Sequence, residues 1–211
     1  MPGNLTDTAE GLLLDHVNGT SAWTPTSPLK LRILQAMSST PEATAGTQYS
    51  GSTDQTISFG AQASSSASSN VTCSFTGLGT GDIPGWEIYD TNASPKRIWF
   101  GVWSPKQVTA AVPASDQLTI TSHGYSVGQK IVFIADPSQS TKSMPGGITI
   151  GTIYFVKTVV DANTITISTT SGGATLDITS DGAATVGVVK SVANPGDTFQ
   201  VASGQLTDSF D

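Results

Sequence analysis

The chain has 211 residues, of which 12% are charged and 37% are hydrophobic, and its formal net charge is -7. Nine scattered Lys and Arg residues do not supply the clustered positive charge that binds phosphates, so the composition argues against nucleic-acid binding. Low charge with abundant Ser, Thr, Val and Gly is typical of strands joined by turns, and it argues against a helical bundle.

The amino-terminal stretch predicts neither a targeting signal nor a membrane span. MPGNLTDTAE lacks a basic region and an apolar region, so we expect no signal peptide and synthesis in the cytoplasm. No run of about 18 apolar residues occurs anywhere in the chain, so we expect no membrane contact.

Residues 4–19 predict the one helix of the chain. Asp7 with Glu10 resembles a capping box, and Asn18-Gly19 supplies a stop signal. The apolar stripe of this helix comprises Leu5, Ala9, Leu12, Leu13, His16 and Val17. We expect His16 to pack against a neighbour at the helix end and to bind no ligand.

Alternating side chains predict strands in the first half of the chain. Residues 29–37 alternate cleanly, and shorter strands are expected at 57–59 and 71–75. A long polar loop at 38–56 and a low-complexity surface turn at 63–70 separate these strands. Cys73 is the only cysteine, so it forms no intramolecular disulfide, and its apolar neighbours predict a buried thiol.

The stretch 82–108 holds three of the four tryptophans and predicts a β-hairpin. Two runs with a period of two flank DTNASPK, whose Asp, Asn, Ser and Pro favour a turn. The aromatic content places this hairpin at the centre of a core.

A second, tryptophan-free region follows from Pro113 to about Val189. Short apolar runs recur between turns such as SHGYSVGQ and VDAN, and they predict a compact all-β module of about 75 residues, near the size that folds alone. Strands are expected at 118–121, 130–135, 152–160, 164–168 and 175–178. After Pro195-Gly196-Asp197 the alternation returns at 198–206.

No residue pattern predicts catalysis, a cofactor or a metal. Glu87 and Asp90 are an odd number of positions apart, so they face opposite sides of a strand, and we expect solvated acids and no glycosidase pair. His123, beside Gly124, is expected to be a turn residue because no Ser-His-Asp arrangement accompanies it. Two distant histidines and one cysteine make no zinc set.

Three stretches resemble a family of small tailed-bacteriophage virion proteins that are labelled tail-fibre or minor tail proteins. They are LTDTAEGLLLDHVNGTSAWT followed by PLKLRIL, then GWEIYDTNASPKRIWFGVWSPKQV, and finally NPGDTFQVASGQLTDSFD. Members of that family pass almost directly from the second stretch to the third, whereas here an insert that itself resembles a recurrent phage β-module intervenes. The resemblance implies a base β-sandwich of residues 1–112 and 191–211, with 113–190 inserted in a hairpin loop.

The resemblance also implies a non-enzymatic structural protein on the virion exterior. As a head-decoration protein or as a tail-fibre or minor tail component, it would contact the major capsid protein or tail proteins and would self-associate, for example as a trimer. The alternative is an adhesin whose insert binds a host receptor or a cell-surface glycan. The candidate interface residues, leucines of the helix and the four tryptophans, are Leu5, Leu12, Leu13, Trp23, Trp86, Trp99 and Trp103.

Overall fold

The computed structural model describes residues 4–61, 66–135 and 143–209. Strands hold 41% of the residues and helices 7%, and one helix lies near the amino terminus, so the predicted all-β fold is confirmed. The chain divides into two compact units: unit 1 comprises Met1–Gly101 and Ser191–Asp211, and unit 2 comprises Val102–Lys190.

The elements in chain order are β1 (Asn4–Leu5), α1 (Asp7–Val17), β2 (Leu29–Ala36), β3 (Thr47–Gln48), β4 (Gln55–Ile57), β5 (Ser66–Ser68), β6 (Cys73–Phe75), β7 (Gly81–Ile83), β8 (Gly85–Tyr89), β9 (Arg97–Val108), β10 (Ala110–Val112), a 3-10 turn (Pro113–Ser115), β11 (Gln117–Thr119), β12 (Lys130–Ile134), β13 (Ile153–Asp161), β14 (Thr164–Ser168), β15 (Ala184–Val188), β16 (Lys190–Val192), β17 (Phe199–Val201) and β18 (Thr207–Ser209).

The boundary between the units lies inside a strand. The sequence placed it at 112/113, after the second run of the hairpin, whereas β9 passes from unit 1 to unit 2 after Gly101. Glycine has no side chain to mark the change, and the alternation continues across it, so the pattern of the sequence shows no break at this point.

In unit 1 the main sheet has the order β9-β8-β2-β3, with β4 also paired to β2 and β1 to β9. The predicted hairpin is confirmed as β8 and β9, and the predicted strand at 29–37 as β2. Antiparallel β2 and β8 align Leu31 with Ile88 and Ile33 with Trp86. All four side chains are at most 1% exposed, so this register forms the core of the unit.

The segment predicted as a long loop, 38–56, contains β3 and the beginning of β4, so that prediction is wrong in part. β3 pairs with β2 over two residues, and β4 pairs with β2 over three. Strands this short do not show a recognisable period of two in the sequence. The low-complexity turn predicted at 63–70 lies partly outside the described residues, and Ser66–Ser68 form β5.

The carboxyl-terminal segment pairs with strands of unit 1. β16 pairs with β7, β17 with β6, and β18 with β5. Phe199 aligns with Phe75 and Val201 with Cys73. The returning alternation at 198–206 therefore completes unit 1.

Unit 2 has one antiparallel sheet of order β10-β11-β14-β13-β12-β15-β9, counting the second half of β9. The hydrophobic core cluster consists of residues from Val108 to Val186, so all of its members belong to this unit. The strand predicted at 175–178 does not form. Instead, Leu176 N–H donates to Ile167 O at 2.8 Å and Ile178 N–H to the Asp116 carboxylate at 2.9 Å.

Candidate functional site

Two of the four tryptophans predicted at an interface lie in the interior. Trp86 is 1% exposed and Trp103 is 2% exposed, so neither ring is available to a partner, and this part of the interface prediction is corrected. By alternation, Trp99 and Trp103 share one face of the predicted strand, and either that face or the opposite one was expected to point away from the core. Val188 of β15 is the cross-strand partner of Trp103, and a single sequence does not show which residue of another strand lies there.

Trp99 remains at the surface in part. It is half-buried and its ring lies 5.8 Å from the ring of Phe59, centroid to centroid. Leu5, another candidate, is half-buried and aligns with Trp99 through the pairing of β1 with β9. Trp99 therefore has one neighbour within the chain on its ring, Phe59, and one across the strand pairing, Leu5.

Trp23 is also half-buried, just beyond the helix. Its main-chain N–H donates to His16 Nδ1 at 3.2 Å, so His16 binds a neighbour at the helix end, although its side chain is exposed. The indole Nε1 of Trp23 is buried and has no hydrogen-bond partner among the described residues. A polar atom in that condition costs free energy in the isolated chain.

The helix begins at Asp7, so its N-cap lies one residue before the predicted one. Thr6 is the N-cap: its Oγ1 accepts from Ala9 N–H at 3.2 Å and donates to Arg97 O at 2.7 Å. The hydroxyl therefore fixes the start of α1 to β9, and the predicted capping role of Asp7 with Glu10 is wrong by one position.

The side chains that α1 exposes differ from those expected. Ala9 is buried, Leu12 and Leu13 are half-buried, while Leu14 is 60% exposed and Val17, assigned to the buried stripe, is 73% exposed. The run of three leucines at 12–14 already indicates that one of them must be exposed. Successive residues of a helix point about 100° apart, so three neighbours cannot share one buried face.

A buried ion pair links the hairpin to the segment before β3. Glu87 and Arg97 approach to 2.8 Å, and their side chains are 1% and 9% exposed, so the prediction of a solvated Glu87 is wrong. Gly46 N–H also donates to this carboxylate at 2.8 Å, and Arg97 donates to Thr44 O and Glu42 O at 3.0 and 2.9 Å. These contacts hold residues 42–46 against the sheet.

The second oxygen of Glu87 accepts from the Tyr89 hydroxyl at 2.7 Å. Burial raises the pKa of Tyr89 above its ordinary value, and the negative charge of Glu87 adds to the effect. The guanidinium of Arg32 lies 4.4 Å from the centre of the Tyr89 ring and forms a bidentate pair with Asp54. Every one of these charged groups is satisfied within the chain.

Asp90 and His123 are also buried, at 1% and 3% exposed, so the expectation of a solvated Asp90 is wrong. The Asp90 carboxylate accepts from Lys96 N–H at 2.7 Å and closes the hairpin turn. His123 Nδ1 accepts from Tyr125 N–H at 2.9 Å, so Nε2, 2.9 Å from Asp161 O, carries the proton. Both side chains hold loops together.

The described residues contain no group of three or more His, Cys, Asp or Glu side chains placed to bind a metal ion. Cys73 is buried as predicted, and burial raises the pKa of its thiol. In the described part of the chain, no helix has both the length and the apolar character needed to cross a bilayer.

No protein-family model, curated protein or solved structure matches this chain. The candidate functional surface is therefore chosen from the exposure of side chains in the structure. It is the outer face of α1, where Leu14 and Val17 are exposed beside acidic side chains.

Proposed function

We propose that this chain is a non-enzymatic structural protein on the exterior of a tailed-phage virion, acting through contacts with the particle and with sister subunits. The observation that carries the proposal is the outer face of α1. Contiguous exposed apolar side chains mark protein interfaces, and Leu14 and Val17 lie one helical turn apart on this face. The helix also lies within the first of the three stretches that resemble phage virion proteins.

The hydrogen bonds of three carboxylates of unit 1 support a structural role. Glu87, Asp90 and Asp54 each accept two or more hydrogen bonds from groups of unit 1, and those bonds fix turns and strands. A carboxylate that acts as general acid or base needs access to a substrate proton. Glu87 and Asp90, at 1% exposed, do not have that access.

The partners on the particle are the major capsid protein for a head-decoration protein and tail proteins for a tail-fibre or minor tail component. Counting the copies per particle by quantitative mass spectrometry against the major capsid protein separates the two. Hundreds of copies indicate the head lattice, and a few to a few tens indicate the tail. Absence of the chain from purified particles would refute the proposal.

A host-binding adhesin is the second candidate, because unit 2 exposes apolar side chains of its own. Val127 is 66% exposed, and Val160 and Val112 are 48% and 41% exposed. These side chains suit a protein receptor better than a glycan, since sugars stack on exposed rings and the aromatic residues of unit 2 are buried except for half-buried Phe155. Loss of adsorption by intact particles that carry Val127→Gln would support this role, and unchanged adsorption would argue against it.

A further inference from the structure

The outer face of α1 combines apolar and acidic side chains. Leu14 and Val17, three positions apart, are 60% and 73% exposed. Asp7, Glu10 and Asp15 are exposed on the same helix, which contains no Lys or Arg. Helices that dock into a groove of another protein insert apolar side chains at spacings such as i and i+3, which is the spacing of Leu14 and Val17.

Gly11 is a second, independent sign of a partner. It lies three positions before Leu14, is exposed, and has helical backbone, so the chain needs no glycine there for its conformation. A Cβ atom at this position would have no described atom within 4 Å outside the helix's own backbone. Glycine destabilises a helix interior relative to alanine, and the described residues around Gly11 offer no contact that offsets that loss.

We propose that the outer face of α1, defined by Gly11, Leu14 and Val17, docks into an apolar groove rimmed by Lys or Arg on another protein of the virion. The inference rests on the proposed function and specifies its partner. Leu14 and Val17 fill the groove, Gly11 permits close approach of the partner's backbone, and the acids pair with the basic rim.

The charges of the helix argue against a second copy as the occupant. Two copies of this face would bring Asp7, Glu10 and Asp15 close to the same three acids, and like charges in contact oppose association. The chain as a whole carries a net charge of -7, which adds to that repulsion. A basic groove removes both obstacles.

The test supplies the full-length chain from a plasmid to cells infected by a phage whose own copy of the gene is deleted, and counts chains per particle. Leu14→Gln and Val17→Gln keep helix-compatible side chains and should reduce incorporation at least tenfold. Val127→Gln, which alters a similarly exposed valine in unit 2, is the matched control and should incorporate normally.

Gly11→Ala separates binding from folding. It should raise the melting temperature of the purified chain by roughly 1–4 °C and still reduce incorporation, because the added methyl group blocks close approach. Glu10→Lys should also reduce incorporation, and wild-type chains should be released from particles as the salt concentration rises.

Each failure has its own meaning. Absence of the wild-type chain from particles would overturn the proposed function itself. Normal incorporation of Leu14→Gln and Val17→Gln would overturn the docking face and leave the proposed function intact. Reduced incorporation of these two variants, together with unaffected Glu10→Lys and no release by salt, would overturn the basic rim.

Discussion

The carboxylate of Glu87 lies 2.8 Å from the guanidinium of Arg97, and the two side chains are 1% and 9% exposed. The pair joins the two strands of the central hairpin to residues 42–46 through three further hydrogen bonds. Its role is to fix a segment that has little regular structure of its own.

Removing one partner of this pair should be severely destabilising. Glu87→Ala leaves Arg97 buried without its counter-charge, and it also leaves Gly46 N–H and the Tyr89 hydroxyl without their acceptor. We expect the free energy of unfolding, measured by urea titration, to fall by about 3–5 kcal/mol. If that variant does not fold, the isosteric Glu87→Gln provides the measurement.

Asp54→Ala is the matched control. Asp54 forms a bidentate pair with Arg32 in the same unit, but the two side chains are 23% and 26% exposed. Solvent-exposed pairs contribute about 0–1 kcal/mol, so this variant should be far milder. Equal losses for the two variants would show that burial does not set the strength of the Glu87 pair.

The hairpin and its neighbours show which parts of a fold a sequence can predict. The alternation of Leu31 and Ile33 predicted β2 and its buried face, and the turn residues predicted where β8 ends. The Glu87–Arg97 pair could not be predicted, because the position of one strand along another is set by packing of the whole sheet. A single sequence does not contain that register.

The surface of α1 was predicted correctly only in part. The apolar stripe was drawn through Ala9, Leu12, Leu13, His16 and Val17; Ala9 is buried and the two leucines are half-buried, but His16 and Val17 are exposed. The Thr6 cap, which is bonded to β9, fixes the rotation of the helix about its axis and turns its carboxyl-terminal residues outward. Only the structure shows where that cap is attached.

Two tyrosines of the unit 2 core should respond oppositely to loss of the hydroxyl. The Tyr125 hydroxyl is buried without a hydrogen-bond partner among the described residues, whereas that of Tyr154 accepts from Thr149 N–H at 2.9 Å. Tyr125→Phe should therefore stabilise the chain by about 1 kcal/mol, and Tyr154→Phe should destabilise it by a similar amount. Urea titration of both variants under one set of conditions tests this, and a loss of stability in Tyr125→Phe would contradict it.

The buried hydroxyl of Tyr125 should also make the free energy of unfolding depend on pH in the alkaline range. Burial raises the pKa of its hydroxyl above the ordinary value of 10.0, so the folded chain keeps the proton while the unfolded chain loses it. The stability linked to this group is complete below pH 10 and is lost as the pH rises from there toward the folded pKa. Unfolding free energies at pH 9 and pH 11 should differ less in Tyr125→Phe than in the wild type. An identical difference in the two proteins would exclude the effect.

Cys73 should be inert in the folded chain. Its side chain is 2% exposed, Sγ donates to Thr56 O at 3.4 Å, and burial raises its pKa, so both access and the thiolate fraction are low. We expect alkylation by iodoacetamide at pH 8 to be at least a hundredfold slower in buffer than in 8 M urea, by mass spectrometry. Comparable rates in the two solvents would mean that β6 opens readily.

The boundary inside β9 can be tested with two fragments that differ only at the amino terminus. The hydrophobic cluster of unit 2 lies wholly within 102–190, including Val108 and Ala111. A fragment of this length, about 90 residues, has a core large enough to fold alone. It should unfold cooperatively in urea.

The shorter fragment 113–190 corresponds to the boundary drawn from the sequence. It lacks Val108 and Ala111 from the core and removes the strand that pairs with β15 through Ala184 and Val186. Deleting buried apolar side chains and one neighbour of a central strand should cost several kcal/mol, so this fragment should be unfolded or much less stable. Circular dichroism with urea titration of both fragments decides the matter. Equal stability of the two fragments would mean that residues 102–112 contribute nothing to the stability of unit 2.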